Sequence, residues 1–351
     1  MKENSNLLIL GAGASMDYGF PSGTDLKERA IALVANNKTT EYSLLVKAGG
    51  KMGFDHTDLL IFKQKLKKAN LDDSIDAFIE ANNDDQDIEK LTNMAKCIIA
   101  LLIATCEDPK KLFETQPSWY YELFKKMYTG RNSYNRFFEN KLNCITFNYD
   151  RSLEEFLLTT VAKQFGKPQS DCIKDLSKNF QVVHVHGSLG DIWKSKSSPD
   201  YRDYSPTLKN ADDLVKAANK IRLITDEIDP MLDSEFTKAD SLIRSSDTVH
   251  FIGFGYHVNN MERIGFADPS TELLGPIESK GSIAINGNRD DKFFGTIKGI
   301  NQQKVLECVR KYYLNTVAYS PSAGSDRYGL ARSVDDSVDA FEYVVDVAPF
   351  D

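Results

Sequence analysis

Leu7-Leu8-Ile9-Leu10-Gly11-Ala12-Gly13-Ala14-Ser15 is the stretch on which the fold turns. Four consecutive aliphatic residues describe a strand buried on both faces, as in a parallel sheet. Two glycines one residue apart follow at once. A strand running into Gly-Ala-Gly is how a doubly wound α/β sheet makes its first turn around a dinucleotide. Without Cβ atoms the backbone can approach a pyrophosphate, and backbone N–H groups supply the matching dipole. The G-x-G-x-x-G spacing is broken, because Met16 stands at the third position and the next glycine is Gly19. A tight strand-to-helix turn without a ligand therefore stays open at this point.

The chain has 351 residues, 41% of them hydrophobic, enough for one large α/β domain with an insertion or for two domains. A net charge of −8 argues against a surface that grips nucleic acid, because phosphate binding needs a basic face. Lys63, Lys65, Lys67 and Lys68 read as a solvated helix face. The five cysteines, Cys97, Cys106, Cys144, Cys172 and Cys308, have no zinc-ribbon spacing and fit reduced thiols in a cytoplasmic protein. The first strand begins too early to leave room for a signal peptide, and the apolar run Cys97 to Cys106 is too short to span a bilayer.

Downstream, Gly19-Phe20-Pro21-Ser22-Gly23 punctuates a loop, with Ser22 or Thr24 capping the next helix. Helical periodicity dominates from about 41 to 140, with Ser74 at a helix start, a long helix from Ile88 to Thr105 and an aromatic helix from Trp119 to Tyr128. Strands are expected at Leu142–Phe147, Phe180–His186, Thr248–Ile252 and Ser282–Ile285, with helices at Leu153–Gln164, Leu208–Ile221, Thr237–Ser245, Val258–Ile264 and from Asp290 to about Leu314. Asp191 to Pro206 is polar and suits a mobile loop. The pattern predicts a Rossmann-like parallel sheet with helices on both faces, built from 1–40 and 141–318. A helical insertion would occupy 41–140, and 319–351 would be a tail able to serve assembly.

Each expected strand ends in small or polar residues: Gly11-Ala12-Gly13, Asn148-Tyr149-Asp150, His186-Gly187-Ser188, Gly253-Phe254-Gly255 and Asn286-Gly287. In an open parallel sheet these ends share one edge, so they would converge on one crevice.

Taken together, these segments resemble the sirtuin superfamily. Gly11-Ala12-Gly13-Ala14-Ser15 with Gly19-Phe20-Pro21 is similar to the sirtuin glycine turn and cofactor loop. Thr146-Phe147-Asn148-Tyr149-Asp150 resembles the Thr-Gln-Asn-x-Asp motif, and His186-Gly187 the catalytic His-Gly. The motifs keep the family's order over roughly residues 7 to 290. No Cys-x-x-Cys zinc module is present, Ser22-Gly23-Thr24 replaces the Asp-Phe-Arg after the loop proline, and Phe147 replaces the motif glutamine. These departures point to the zinc-free sirtuin-like proteins of bacterial anti-phage defence, which hydrolyse NAD.

The resemblance implies cleavage of the bond between nicotinamide and ribose, with no metal. Asn148 would hold the ribose hydroxyl and orient water, its amide donating and accepting together, and His186 would be the general base. Gly11, Ala12, Gly13 and Ser15 would hold the diphosphate, with Phe20 and Pro21 in the covering loop. Asp150 would bind the carboxamide or brace the site. Gly253 and Gly255 would lie by the phosphate, and Asn286 by the adenosine ribose. His184 reads as structural support, and His257 and Asn259 as non-catalytic neighbours. The resemblance also implies a homo-oligomer acting beside a partner that senses infection, such as a HerA-type ATPase or a prokaryotic Argonaute. Two other readings are a non-catalytic module sensing NAD or ADP-ribose, and a zinc-free deacylase.

Overall fold

The computed structural model describes residues 5–70, 74–223, 226, 234–255, 258–264 and 293–295. One sheet holds β1 (Asn6–Leu10), β2 (Leu142–Thr146), β3 (Val182–His184), β4 (Thr248–Ile252) and β5 (Phe293–Gly295). Their order is β3-β2-β1-β4-β5 and every neighbouring pair is parallel. This is the Rossmann-like order, in which the chain reverses its direction of winding between β1 and β4.

β1 is central because both its faces are apolar. Leu8 and Leu10 join a large core with the helical block, while Leu7 and Ile9 join a smaller one on the opposite face. Between β1 and β2 lie a 3-10 helix (Ala12–Tyr18) and, among the described residues, eight α-helices. These are α1 (Gly23–Ala35), α2 (Thr40–Met52), α3 (His56–Lys68), α4 (Ile75–Ala81), α5 (Ile88–Cys106), α6 (Pro109–Glu114), α7 (Trp119–Tyr128) and α8 (Tyr134–Phe137). Ser22 caps α1 in a capping box with Asp25, and Ser74 caps α4 through the Ala77 N–H. α5 is the hub: α1, α2, α3 and α4 pack on it, and so does α11 (Ala211–Ala218) from far along the chain. The block is therefore continuous with the core of one sheet face. α9 (Ser152–Phe165) and α10 (Gln169–Asn179) connect β2 to β3, and α12 (Ser234–Ser245) and α13 (Val258–Arg263) flank β4.

Three expectations need correction. The third strand stops at His184, and His186 lies in the turn beyond it. Gly187 forces this: its φ is +72°, and a Cβ there would meet the Lys220 carbonyl oxygen at 1.9 Å. Residues 293–295 pair with β4 instead of starting a helix. The segment 191–206 is fastened down, not loose. Ile192, Trp193 and Tyr204 are buried, and the Arg202 guanidinium pairs with Glu107 at the end of α5. Its polar composition hid one cation whose partner lies far away in sequence. The strand expected at Ser282–Ile285, together with Asn286, His257 and the tail 319–351, lies outside the described residues.

Candidate active site

The crevice is built where β1, β2, β3 and β4 end. Phe147 continues the pairing past β2, its N–H donating to Leu10 O at 3.0 Å, and Asn148 follows at the edge. Four hydrogen bonds fix Asn148. Its backbone N–H donates to Thr146 Oγ1 at 3.1 Å. Its side-chain Nδ2 donates to Gly11 O at 2.9 Å and to Ser15 Oγ at 3.1 Å. Its carbonyl oxygen faces His184 Nδ1 at 3.0 Å. Both amide hydrogens are thereby engaged. Since Gly11 O can only accept, the amide cannot flip, and Oδ1 is the group left to meet a ligand. The amide accepts but has no donor to offer, which corrects the dual role read from sequence.

Behind it runs a buried polar chain. Ser15 takes the Asn148 hydrogen bond and lies within reach of Asp150. Ser152 donates to Asp150 from its backbone N–H at 3.1 Å and from its hydroxyl, and Tyr120 OH meets Ser152 Oγ at 2.7 Å. Burial raises the Asp150 carboxyl above its usual range, while the Ser152 and Ser15 hydrogen bonds oppose the rise. Of the two roles expected for Asp150, these contacts are those of a brace. A small cavity of about 10 Å³, room for about one water molecule, lies beside Ser15, Thr146, Asn148, Asp150 and Glu154. It does not admit a dinucleotide, and His186 does not line it.

His184 and His186 have opposite surroundings. His184 lies between Asn148 O and Glu154, with Nε2 at 2.6 Å from Oε1. Burial pulls its pKa down, but the Glu154 carboxylate and the Asn148 carbonyl outweigh burial and the net shift is upward. An imidazolium donating from both nitrogens satisfies both neighbours. This is the supporting role expected of it. His186 packs against aromatic rings, with Phe147 at 5.6 Å and Tyr149 at 6.4 Å between centroids. Burial, helped by the charges of Arg263 and Arg222, lowers its pKa to about 4, against a hydrogen bond with Asn260. Its Nδ1 is buried without a hydrogen-bond partner among the described residues. His186 is therefore neutral at pH 7, with a lone pair or N–H uncommitted. Asn148 follows β2, and His186 lies in the turn after β3, the strand paired with β2.

The glycines at the switch point lock into each other. Gly11 N–H donates to Ile252 O at 3.1 Å, Gly13 N–H to Gly253 O at 3.0 Å and Ala14 N–H to Gly11 O at 3.0 Å. A Cβ on Gly11 would meet Gly253 O at 2.5 Å, and one on Gly253, at φ +57°, would meet Ala14 N at 2.0 Å. Backbone packing alone accounts for these glycines, and the three N–H donors already have partners. Phe20 and Pro21 are buried, Ala12 is half-buried and Gly255 is exposed.

Several site-supporting residues had no sequence signal. Trp119 Nε1 donates to Ala14 O at 2.8 Å, and Tyr120 stacks on Tyr18 at 4.2 Å, so α7 holds the glycine turn from behind. Arg151, three residues after Asn148, is fully buried and makes a two-pronged pair with Glu107 at 2.8 and 2.6 Å. It also donates to the Arg202 and Asp203 carbonyls. The aromatic helix was legible as core, but its polar tips were not.

Compared with known proteins, the chain matches no family model, and no curated protein matches it. Among the described residues no cluster of His, Cys, Asp or Glu suits a metal ion, and no helix is long and apolar enough to cross a membrane.

Proposed function

We propose that the protein hydrolyses NAD⁺ at the nicotinamide–ribose bond, with Asn148 and His186 as the catalytic pair. The observation that carries this reading is the pairing itself. A flip-locked amide oxygen follows β2, and a neutral imidazole with Nδ1 unpartnered among the described residues lies in the turn after the adjacent β3.

The chemistry asks little of a base. The bond from C1′ to the pyridinium nitrogen breaks, its electron pair goes to that nitrogen, and neutral nicotinamide leaves. The ribosyl carbon becomes oxocarbenium-like and water adds to it. The proton passes to the imidazole and then to solvent. Asn148 Oδ1 accepts a hydrogen bond from the attacking water or a ribose hydroxyl, holding it in line. His186, with its pKa near 4, is fully unprotonated at pH 7 and takes the proton late. The diphosphate is assigned to the edge formed by Gly11, Ala12, Gly13, Ser15, Gly253 and Gly255. Any backbone hydrogen bonds it receives come from N–H groups other than those of Gly11, Gly13 and Ala14. Phe20 and Pro21 keep a packing role beneath it. Action beside an infection sensor, as a cytoplasmic homo-oligomer, belongs to the same proposal and rests on the sirtuin resemblance alone.

The test is nicotinamide release from NAD⁺ by purified protein, with any protein that co-purifies. Asn148→Ala and His186→Ala should each lower the rate at least about 100-fold, in the range found for removing an acid–base or positioning group. Unchanged rates in both overturn the reading. One observation favours a second reading, a nucleotide sensor without turnover: a histidine of pKa about 4 is a weak base. That reading predicts tight binding of NAD⁺ or ADP-ribose with no nicotinamide released.

A further inference from the structure

His184 stands between two hydrogen-bond acceptors. Its Nδ1 lies 3.0 Å from the Asn148 carbonyl oxygen, a group that only accepts. Its Nε2 lies 2.6 Å from Glu154 Oε1. A neutral imidazole has one N–H and can serve one of them. With Glu154 ionised and the ring neutral, one of these contacts would set a lone pair against an oxygen. The geometry therefore calls for one more proton, which belongs to the His184–Glu154 pair as a unit.

The surroundings favour that proton. Glu154, in the first turn of α9, and Asp150, in the turn after β2, both act on His184. Arg151 feels the Glu154 charge but is committed to Glu107. Cys144 of β2 faces the same two carboxylates and stays a thiol, since burial and both charges disfavour the thiolate. Trp193 meets Glu154 without charge, its Nε1 donating to the backbone oxygen at 3.2 Å. α12 packs on β3 through apolar residues of the other sheet face.

When the pair loses its proton, the carboxylate keeps the remaining N–H, because a charged acceptor binds it more strongly than a carbonyl does. The lone pair then falls on Nδ1, against Asn148 O. The Asn148 amide is held at its far end by Gly11 O and Ser15 Oγ. A shift of the main chain at 148 therefore turns Oδ1.

We infer that His184, paired with Glu154, is a positioning residue: its doubly protonated ring holds the Asn148 main chain, and loss of that proton at alkaline pH releases it. The consequence for turnover rests on the NAD⁺ reading given above; the consequence for Asn148 does not.

The experiment uses the full chain and two readouts against pH. The first is NMR of the Asn148 side-chain amide, assigned by comparison with Asn148→Asp, and of the His184 ring. Both signals should move with one shared midpoint, above the ordinary histidine value. Glu154→Gln keeps the shape and removes the charge, so that midpoint should fall by at least about one pH unit. Glu155→Gln, whose carboxylate bonds to Thr159 instead, should leave it in place. The second readout is nicotinamide release, which should drop at least about fivefold above the same midpoint as Asn148 loses its position. Glu154→Gln should carry that alkaline limb to lower pH. A residue that only props the fold would lower the rate at every pH and leave the limb unmoved. Thermal melting identifies a variant that has lost its fold; if Glu154→Gln melts early, the shared midpoint in the wild type decides. An Asn148 amide that ignores the His184 titration overturns the inference, as does a folded Glu154→Gln protein with the wild-type midpoint. Nicotinamide release with no limb at the His184 midpoint also overturns it and leaves the hydrolase reading standing. A shared midpoint without release at any pH supports the inference and overturns hydrolysis.

Discussion

The ends of β2 and β3 lie side by side and are built in opposite ways. At the end of β2, Asn148 is held by four hydrogen bonds, with Asp150, Ser152, His184 and Glu154 packed behind it as a connected polar network. At the end of β3, His186 is packed among rings, and Nδ1 meets no partner among the described residues. The first end is over-determined and the second is left wanting. Asn148 is surrounded by partners, whereas the His186 ring is kept dry, with Nδ1 unpartnered among the described residues. The contrast also explains why two histidines two residues apart shift in opposite directions.

The largest effect should come from removing what anchors the rigid end. Glu107→Ala leaves Arg151 buried and without its carboxylate, directly beneath the turn that presents Asn148. Denaturant unfolding should report a loss of about 3–5 kcal/mol, the usual consequence of breaking a buried pair from one side. A loss below about 1 kcal/mol would mean that the pair does not support the β2 end.

Next in size is a pH effect whose sign differs between the two histidines. The folded pKa of His186 is about 4, below the ordinary 6.5, so the unfolded chain binds the proton first. Stability is whole above pH 6.5, falls as the pH drops toward 4 and then levels. At 1.36 kcal/mol per pKa unit the contribution is about 3 kcal/mol. His184 has a raised folded pKa, so its contribution is present below pH 6.5 and is lost as the pH climbs through the folded value. His186→Phe should flatten the acid limb of a stability–pH curve, and His184→Gln the limb above pH 6.5. Identical curves for the two variants would erase the distinction drawn here.

The smallest effect sharpens the comparison within the β2 end. Ser15→Ala removes the hydroxyl between Asn148 and Asp150 but leaves the Gly11 contact. The expected stability loss is about 1–2 kcal/mol. Nicotinamide release should fall roughly tenfold, because one of the two acceptors that orient the amide is gone. An unaltered rate would show that Gly11 O alone suffices.

How much of this could be read from the sequence differs by type of signal. The parallel sheet was visible because Leu7–Leu10, Leu142–Thr146 and Thr248–Ile252 are short apolar runs that each stop at glycine or a polar residue. That Asn148 and His186 lie toward one edge of the sheet was legible because strand ends in such a sheet share an edge. Glu107, Arg202 and Trp119 were not, because each meets its partner from a distant part of the chain and no local period marks it. The polar run 191–206 misled for the same reason: its anchor is tertiary. The glycine turn was located correctly, yet its glycines serve contact between β1 and β4 backbones as much as any ligand.

One further consequence concerns assembly of the chain. Gly11 and Asn148 touch, though they stand 137 positions apart in sequence. During synthesis the opening strand leaves the ribosome with no neighbour to pair with until the whole helical block has followed it. Contacts of such long range are slow to form, so the block must condense early and shelter that strand's apolar flank. Shortening the block would then damage refolding yield before it altered the finished protein.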